Sequence, residues 1–284
     1  MRLDSINNYK VLFIGDGIID EYRYVEPIGK SVKDNILSTK YDGKFETFYG
    51  GAWAAAAHLR EFCKQVDVWT GPDVMRNLRY VEPVYNRKLI TVHHLHPVDD
   101  ISVCGAFPIG AYDVVVVTDF GHGAMTKELR ERVIKEARFL AVNTQTNSMN
   151  FGFNLIPRYP RADYVVLDEL EARLAAHDRE SDIEDVMLTL CNQFDFRRMI
   201  VTQGANGAVG FDGEFHREKA QARKVIDTMG AGDAFLAVSA PFAAAGASMK
   251  ELVMIGNAAG AIKVGIVGHR QHVTKAELEA YLGD

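Results

Sequence analysis

The chain has 284 residues, the size of one large domain or two modest ones, and it is 48% hydrophobic and 25% charged. This composition is typical of a soluble globular protein and excludes the disordered, fibrous and membrane-spanning classes. The net charge of -6 argues against nucleic-acid binding, because surfaces that bind nucleic acids are basic. We therefore expect no nucleic-acid partner.

The N-terminal sequence and the cysteines bear on where the protein works. The longest apolar stretch, residues 234–247, is interrupted by a serine, a proline and a glycine, and is shorter than the roughly 20 residues of a membrane span. The first ten residues lack the apolar run of a secretory signal. Cys63, Cys104 and Cys191 are odd in number and far apart, which indicates reduced thiols. We expect a cytoplasmic protein with no membrane partner.

The chain alternates between strand-like and helical segments. Short apolar runs without polar alternation predict buried parallel strands at residues 10–15, 66–70, 113–118, 139–143, 163–168 and 198–202. Helical patterns predict helices at residues 51–64, 126–137, 169–177, 181–194, 232–245 and 250–267. Ser248 and Glu251 form a capping box for the last helix. This order favours an α/β fold with a mostly parallel central sheet between layers of helices.

Two stretches, residues 22–48 and 80–103, interrupt this alternation. Both are polar, charged and strand-like in places, and neither has the composition of a flexible linker. We interpret them as a small β-rich lid on a single domain that covers residues 1–284. A lid sheet with an exposed edge or face favours pairing with a second copy, so a homodimer through the lid is expected.

The most informative segment is the sequence DTMGAGDAF at residues 227–235. Gly230, Ala231 and Gly232 are small enough for backbone N–H groups to converge on an anion, and the helix that follows adds its positive N-terminal end. Asp233 stands in the first turn of that helix, where its carboxylate can accept a proton from a hydroxyl group aimed at the same anion. The segment therefore predicts a general base next to an anion hole.

This segment resembles the C-terminal signature DTTGAGDAF of the ribokinase-like, or pfkB, carbohydrate kinases. The resemblance implies a three-layer α/β/α fold and ATP-dependent phosphorylation of a sugar or sugar phosphate. It implies that Asp233 is the base, that residues 230–232 form the anion hole, and that Asp227 shapes the loop or holds a monovalent cation.

Further matches follow the order of these kinases along the chain. Implied ligands of the sugar are Asp16 and Asp20, in GDGIID, with Gly50 and Gly51. Implied contacts of ATP are Asp168, Thr202, Gly204, Gly207 and Asn257. Glu171 takes the place of the family's glutamate that organises water around Mg²⁺.

Within the family, the segments GDGIIDEY and TDFGHG look most like the kinases that phosphorylate C1 of a heptose 7-phosphate. His122 replaces their usual lysine, Asp168 replaces an asparagine, and the alanines around Ala55 offer no asparagine to the sugar. Two alternatives stay open, of which the first is prompted by these departures. One is a non-catalytic relative that binds a sugar or nucleotide, and the other is a nucleoside kinase of the same fold.

Overall fold

The computed structural model describes residues 2–71, 74–94 and 107–283. The strands are β1 (Lys10–Gly15), β2 (Gly17–Lys30), β3 (Leu37–Gly51), β4 (Gln65–Thr70), β5 (Met75–Glu82), β6 (Arg87–His94), β7 (Val114–Asp119), β8 (Leu140–Thr144), β9 (Arg161–Ala162), β10 (Tyr164–Asp168), β11 (Asp195–Phe196), β12 (Met199–Thr202), β13 (Ala208–Phe211) and β14 (Phe215–Glu218). The helices are α1 (Ala52–Ala57), α2 (Lys127–Glu136), α3 (Glu169–Ala176), α4 (Ile183–Gln193), α5 (Ala231–Ala244), α6 (Met249–Lys263) and α7 (Lys275–Gly283).

The central sheet has the strand order β14-β13-β12-β10-β8-β7-β1-β4, and its strands from β12 to β4 are parallel. Its inner strands β1, β7, β8 and β10 are mostly apolar and buried because helices cover both faces. Along β7, Val114 and Val116 belong to one hydrophobic core with α5 and α6, whereas Val115 and Val117 belong to a second core with α2 and α4. The predicted three-layer α/β/α architecture is therefore confirmed.

A second sheet, here called the lid sheet, has the order β3-β2-β5-β6. Its strands begin earlier than the predicted stretches at 22–48 and 80–103, because the chain leaves the central sheet directly after Asp16 and enters β2 at Gly17. Strand β3 returns as far as Gly51, whose φ of 62° turns the chain into α1. Residues 95–103 of the second stretch lie outside the described residues.

Three helices differ from the sequence-based expectation. The helix predicted at 51–64 ends at Ala57, because residues 58–62 continue in tighter turns with hydrogen bonds such as Leu59 N–H to the Ala56 carbonyl. The helix predicted at 250–267 ends at Lys263, whose side chain turns back to bind carbonyl groups of two loops. Helix α7 was not predicted, since its pattern is only weakly amphipathic.

The structure also bears on the expected thiols and on membrane insertion. In the described part of the chain Cys63 is buried and Cys191 half-buried, and both are free thiols, whereas Cys104 lies outside that part. Among the helices of residues 2–71, 74–94 and 107–283, none combines the length and the apolar composition that crossing a membrane requires.

Candidate functional site

The candidate site lies where the parallel strands of the central sheet end. Asp168 and Thr202 are the last residues of β10 and β12, and Gln145 directly follows β8. Since the carboxyl ends of parallel strands meet at one edge of a sheet, side chains far apart in the sequence converge there. The N-terminus of α5 points into the same edge, because Ala231 and Gly232 line cavities with these residues.

The anion loop, defined as residues 227–232, leads into α5. Gly230 is the N-cap residue of this helix and has a φ of 76°, a conformation that glycine adopts without steric cost. A Cβ atom added to Gly232 would have nothing within 4 Å, so the space in front of the helix start is open. The first N–H groups of a helix have no acceptor within the helix and carry its positive end, so this space is favourable for an anion.

Two cavities meet at this point. The first cavity has a volume of about 520 Å³ and the second about 540 Å³. Both are lined by the same five residues at their junction: Asp168, Thr202, Thr228, Ala231 and Gly232. Two molecules bound in these cavities would therefore approach each other over the N-terminus of α5.

Asp233 lines the first cavity and is 5% exposed. Burial raises the pKa of its carboxyl to about 6, against the charge of Lys263 and a hydrogen bond from Gln145, which both lower it. In that bond the side-chain amide of Gln145 donates to Asp233 Oδ1 over 2.7 Å. The carboxyl is thus held in place and is ionised at neutral pH with an affinity for protons well above that of an ordinary aspartate.

The other wall of the first cavity includes the predicted residues Asp20 and Gly51, and the lid sheet supplies much of it. Asp20 Oδ1 accepts hydrogen bonds from Arg79 Nε at 2.7 Å and from Asn77 Nδ2 at 3.1 Å. Gly50 does not line this cavity, but it lies beside Asp20, because a Cβ added to Gly50 would be 3.3 Å from Asp20 Oδ2. A larger residue at Gly50 would push against that carboxylate.

Asp16 is placed differently from the sequence-based expectation of a sugar ligand. Its carboxylate accepts backbone hydrogen bonds from Phe120, His122 and Ala124 at 2.8, 3.3 and 3.0 Å, and it is absent from the lining of the first cavity. Burial, with a smaller contribution from Asp119, raises the pKa of Asp16 to about 6. Asp16 therefore organises the loop after β7, which presents Phe120 and His122 to the cavity.

The second cavity contains Gly204, Gly207 and Asn257, the residues predicted to contact a nucleotide. Gly207 has a φ of 93°, and a Cβ there would be 1.9 Å from the Glu218 carbonyl oxygen, so only glycine fits. Asn257 Nδ2 donates to the same carbonyl oxygen over 3.0 Å. The remaining lining is mostly small and apolar: Ala205, Ala220, Ala222, Val225, Phe235, Gly260, Ala261 and Val264.

Asp168 and Glu171 form the capping box of α3 at the junction of the cavities. Asp168 Oδ1 accepts from Glu171 N over 2.7 Å, and the Glu171 carboxylate accepts from the backbone of Asp168 and Thr146. Burial, and then the nearby charge of Asp168, raise the pKa of Glu171 to about 8. A cation placed there would favour its ionised form.

This donor set fits Mg²⁺ held largely through water and phosphate. In residues 2–71, 74–94 and 107–283, no three His, Cys, Asp or Glu side chains converge as a preformed metal cage. Mg²⁺ usually keeps several waters and binds one or two carboxylates together with substrate phosphates. Asp168 and Glu171 are therefore suitable partners for it.

The surroundings of Asp227 do not fit the dissociable monovalent cation that the resemblance implies. Asp227 Oδ1 is within 3.4 Å of Lys88 Nζ and accepts from Met229 N, and Oδ2 accepts from Gly268 N over 3.0 Å. The neighbouring carbonyl groups of Met229 and Gly268 both bind the ammonium group of Lys263. The ammonium groups of Lys88 and Lys263 therefore already supply the positive charge that a bound monovalent cation would bring.

Sequence reasoning missed the cavity residues that the lid sheet supplies. Asn77 and Arg79 on β5 share the face of the buried Met75, whereas Arg76 lies on the other face. The alternating sequence MRNLRYVE indicates a strand with two different faces, but nothing in it says which face meets the site. Gln145 was also missed, because no motif in the sequence assigns a role to the residues that directly follow β8.

Comparison with known proteins identifies the family of the chain. A family model described as pfkB family carbohydrate kinase matches residues 108–275, and the chain belongs to this family. "Bifunctional protein HldE" of Hyphomonas neptunium is 31% identical over 59% of this chain and 35% of its own length. The protein of the same name from Actinobacillus pleuropneumoniae is 26% identical over 97% of this chain and 64% of its own length. The chain therefore spans less than two thirds of these relatives.

Solved structures show the same fold. Ribokinase from Thermotoga maritima superposes with a TM-score of 0.76 at 16% identity, covering 97% of this chain and 100% of that one. Arabidopsis thaliana ribokinase complexed with ribose and ATP gives a TM-score of 0.72 at 15% identity, covering 98% of this chain and 99% of that one. The fold is ribokinase-like.

Proposed function

We propose that this pfkB family carbohydrate kinase transfers the γ-phosphoryl group of ATP to a hydroxyl group of a sugar phosphate. The observation that carries the proposal is the junction of two cavities over the start of α5, with the Asp233 carboxyl on the side of the first cavity. The acceptor binds in the first cavity and ATP in the second. The γ-phosphate then lies at the open space in front of Gly232.

Asp233 acts as the general base. With the acceptor hydroxyl about 2.6–3.2 Å from its carboxylate, it removes the hydroxyl proton as the oxygen attacks phosphorus. The N–H groups of residues 230–232 and the positive end of α5 stabilise negative charge on the transferred phosphoryl group. Most of the catalysis of such a transfer comes from positioning and this electrostatic stabilisation.

Mg²⁺ is the expected cofactor, and Asp168 and Glu171 are the residues that would hold its water shell. When bound with ATP, the ion neutralises charge on the phosphate oxygens. Glu171, whose pKa is raised to about 8, gives up its proton more readily when such a cation is present. Thr202 and the turn at Gly204 and Gly207 border the space for the phosphates and the nucleoside.

The apolar lining of the second cavity suits an adenine base, which needs flat apolar surface and few polar contacts. One N–H of the Asn257 side-chain amide donates to the Glu218 carbonyl, and this bond supports the cavity wall.

The acceptor is proposed to carry a phosphate of its own, as a heptose 7-phosphate does. In this proposal Asp20 and the backbone of Gly51 hold sugar hydroxyls, and Arg79, His93 and His122, which line the same cavity, supply nitrogen donors. A guanidinium group recognises phosphate well because of its forked donors. The resemblance of GDGIIDEY and TDFGHG to heptose 7-phosphate kinases supports this acceptor class.

Residues 1–284 are proposed to act as one kinase domain that pairs with a second copy through the lid sheet. The face of that sheet directed away from the first cavity carries apolar side chains that are largely exposed: Phe45, Tyr49, Ile90 and Val92. Burial of such a face in a homodimer would remove apolar surface from water. Sedimentation equilibrium that finds a monomer at micromolar concentrations would contradict this part of the proposal.

The test of the proposed function is ADP release with Mg²⁺ and ATP across heptose 7-phosphate, hexose phosphates, free sugars and nucleosides. Turnover confined to phosphorylated sugars, and lost in Asp233→Asn, is the expected result. Turnover with nucleosides alone would make the protein a nucleoside kinase. Absence of turnover with every acceptor, while ATP still binds, would support the non-catalytic alternative and refute the proposal.

A further inference from the structure

A charged side chain is completely buried behind the anion loop. Lys263, the last residue of α6, has 0% of its surface exposed, although lysine almost never occurs fully buried without partners. Its Nζ donates to the Met229 carbonyl oxygen over 2.7 Å and to the Gly268 carbonyl oxygen over 2.8 Å. Burying an ammonium group is costly unless it is paired in this way.

Two carboxylates stabilise the charge of this group. Burial lowers the pKa of Lys263 below its ordinary value, and the Coulombic effects of Asp227 and Asp233 oppose this shift. Asp227 also accepts from the backbone N–H of Gly268, whose carbonyl binds Nζ. One network therefore joins the end of α6, the turn at Gly268 and the first residues of the anion loop.

The contact with Met229 orients the anion loop. The Met229 carbonyl and the Gly230 N–H belong to one peptide unit, and in a trans peptide these two groups point in opposite directions. With the carbonyl turned towards the buried ammonium group, the N–H of Gly230 turns away from it. Gly230 also lines the first cavity, so the same contact presents its N–H on the side where the phosphoryl group would lie.

The two carbonyl oxygens and the Asp227 carboxylate form the kind of oxygen-rich environment that holds a monovalent cation. In this chain the ammonium group takes the two carbonyls, and Lys88 and backbone N–H groups take the carboxylate. We infer that Lys263 is a tethered cation that fixes the anion loop, so that phosphoryl transfer needs no dissolved monovalent cation. The inference rests on the proposed kinase function of this loop, and Lys263 is a positioning residue within it.

The first experiment uses the unmodified protein. ADP release and the thermal unfolding midpoint are measured with the potassium, sodium or tetramethylammonium salt at equal ionic strength. The turnover rates in the three salts are expected to agree within about twofold, since the screening of surface charge is the same at equal ionic strength. The unfolding midpoint is expected to show no gain specific to potassium. Potassium-dependent turnover, or a potassium-specific rise of the midpoint, would overturn the inference.

The second experiment removes the ammonium group with Lys263→Ala and compares Lys250→Met, an exposed lysine at the other end of α6, as the matched control. Loss of this positioned charge is expected to lower turnover about 100-fold in tetramethylammonium. Potassium or ethylammonium ions should restore part of it, because they fit the vacated space between the carbonyls. The control should behave like the unmodified protein in every salt.

These experiments distinguish failure of the role of Lys263 from failure of the proposed kinase function. Full turnover of Lys263→Ala in tetramethylammonium, or a loss that neither cation restores, would contradict the role of Lys263. If no acceptor is turned over in any salt, the proposed function fails, and the unfolding midpoints still decide the inference. In that case a midpoint that depends on potassium in Lys263→Ala, but not in the unmodified protein, supports the tethered cation. If the variant does not fold, the salt series of the unmodified protein decides.

Discussion

The two cavities that meet over α5 are built in different ways. The second is enclosed by residues between Asp168 and Val264, and its walls are mostly small and apolar. The first is polar and draws on Asp20, Asn77, Arg79 and other lid-sheet residues as well as on the ends of the central strands. One cavity thus comes from the C-terminal half alone, and the other needs distant parts of the chain to come together.

This difference separates the residues proposed for phosphoryl transfer from the residues proposed for recognition of the acceptor. The features that the proposed transfer from ATP requires, namely the anion loop, the base and the nucleotide cavity, all come from residues 168–264. In the proposed function, acceptor recognition depends on the lid sheet, where Arg79 and Asn77 donate hydrogen bonds to Asp20. Substitutions on the two sides should therefore change different kinetic constants, whereas substitutions at the junction should affect the chemical step itself.

The largest effect is expected from Gly232→Val at the junction. The branched side chain would fill the open space in front of α5, where the proposed mechanism places the phosphoryl group. Loss of this stabilisation should lower kcat about 10²- to 10³-fold, as measured by ADP release at saturating substrates. Gly232→Ala, which adds one methyl group to the same space, should be impaired less. Equal activity of both variants and the unmodified protein would remove the anion loop from the mechanism.

Next in size is Arg79→Met on the acceptor side. The guanidinium group lines the first cavity and donates to Asp20, and losing its charged hydrogen bonds should raise the acceptor KM about 10- to 100-fold. The KM for ATP should not change. Arg76→Met is the matched control, because Arg76 is on the opposite face of β5 and is 51% exposed. A similar loss in both variants would indicate damage to the lid sheet and no role in acceptor binding.

A smaller effect, on the donor side, is expected from Ala261→Leu. The larger side chain would occupy part of the second cavity, and mismatches of one or a few methylene groups in such a pocket cost about tenfold or more in specificity. The KM for ATP should therefore rise about tenfold, with the acceptor KM unchanged. Met254→Leu, at a partly exposed position of the same helix, controls for changes in α6. An effect on the acceptor KM instead would reverse the assignment of the two cavities.

The same division explains how much the sequence could predict. The central strands, the helices on both faces and the anion loop were predictable because continuous apolar runs and helix-capping signals depend on neighbouring residues. The roles of Asp16 and Asn77 were not, because each depends on a partner about 100 or 57 positions away. Asp16 looked like a sugar ligand in the sequence and proves to be satisfied by the backbone of residues 120–124.

Lys263 illustrates the same limit. In the sequence it follows Ala261 and Ile262 near the end of a predicted helix, where a lysine usually interacts favourably with the helix C-terminus in solvent. Its burial follows from the turn at Gly268 and from the Met229 carbonyl, which are brought together by the packing of α6 beside α5. Only the assembled structure shows that this charge stands behind the anion loop.

The smallest expected effect is a shift in pH dependence from Gln145→Leu at the junction. Asp233 must be ionised to act as base, so kcat/KM should fall as the pH drops through its pKa of about 6. The Gln145 amide donates to the ionised form and lowers this pKa, so its removal should move the acid limb to higher pH by about one unit. Gln203→Leu is the control, because that amide donates to Glu169, outside both cavities. If the acid limb stays in place in Gln145→Leu, the ionisation of another group limits the reaction at low pH. The assignment of Asp233, on the acceptor side of the junction, as the general base would then lose its support.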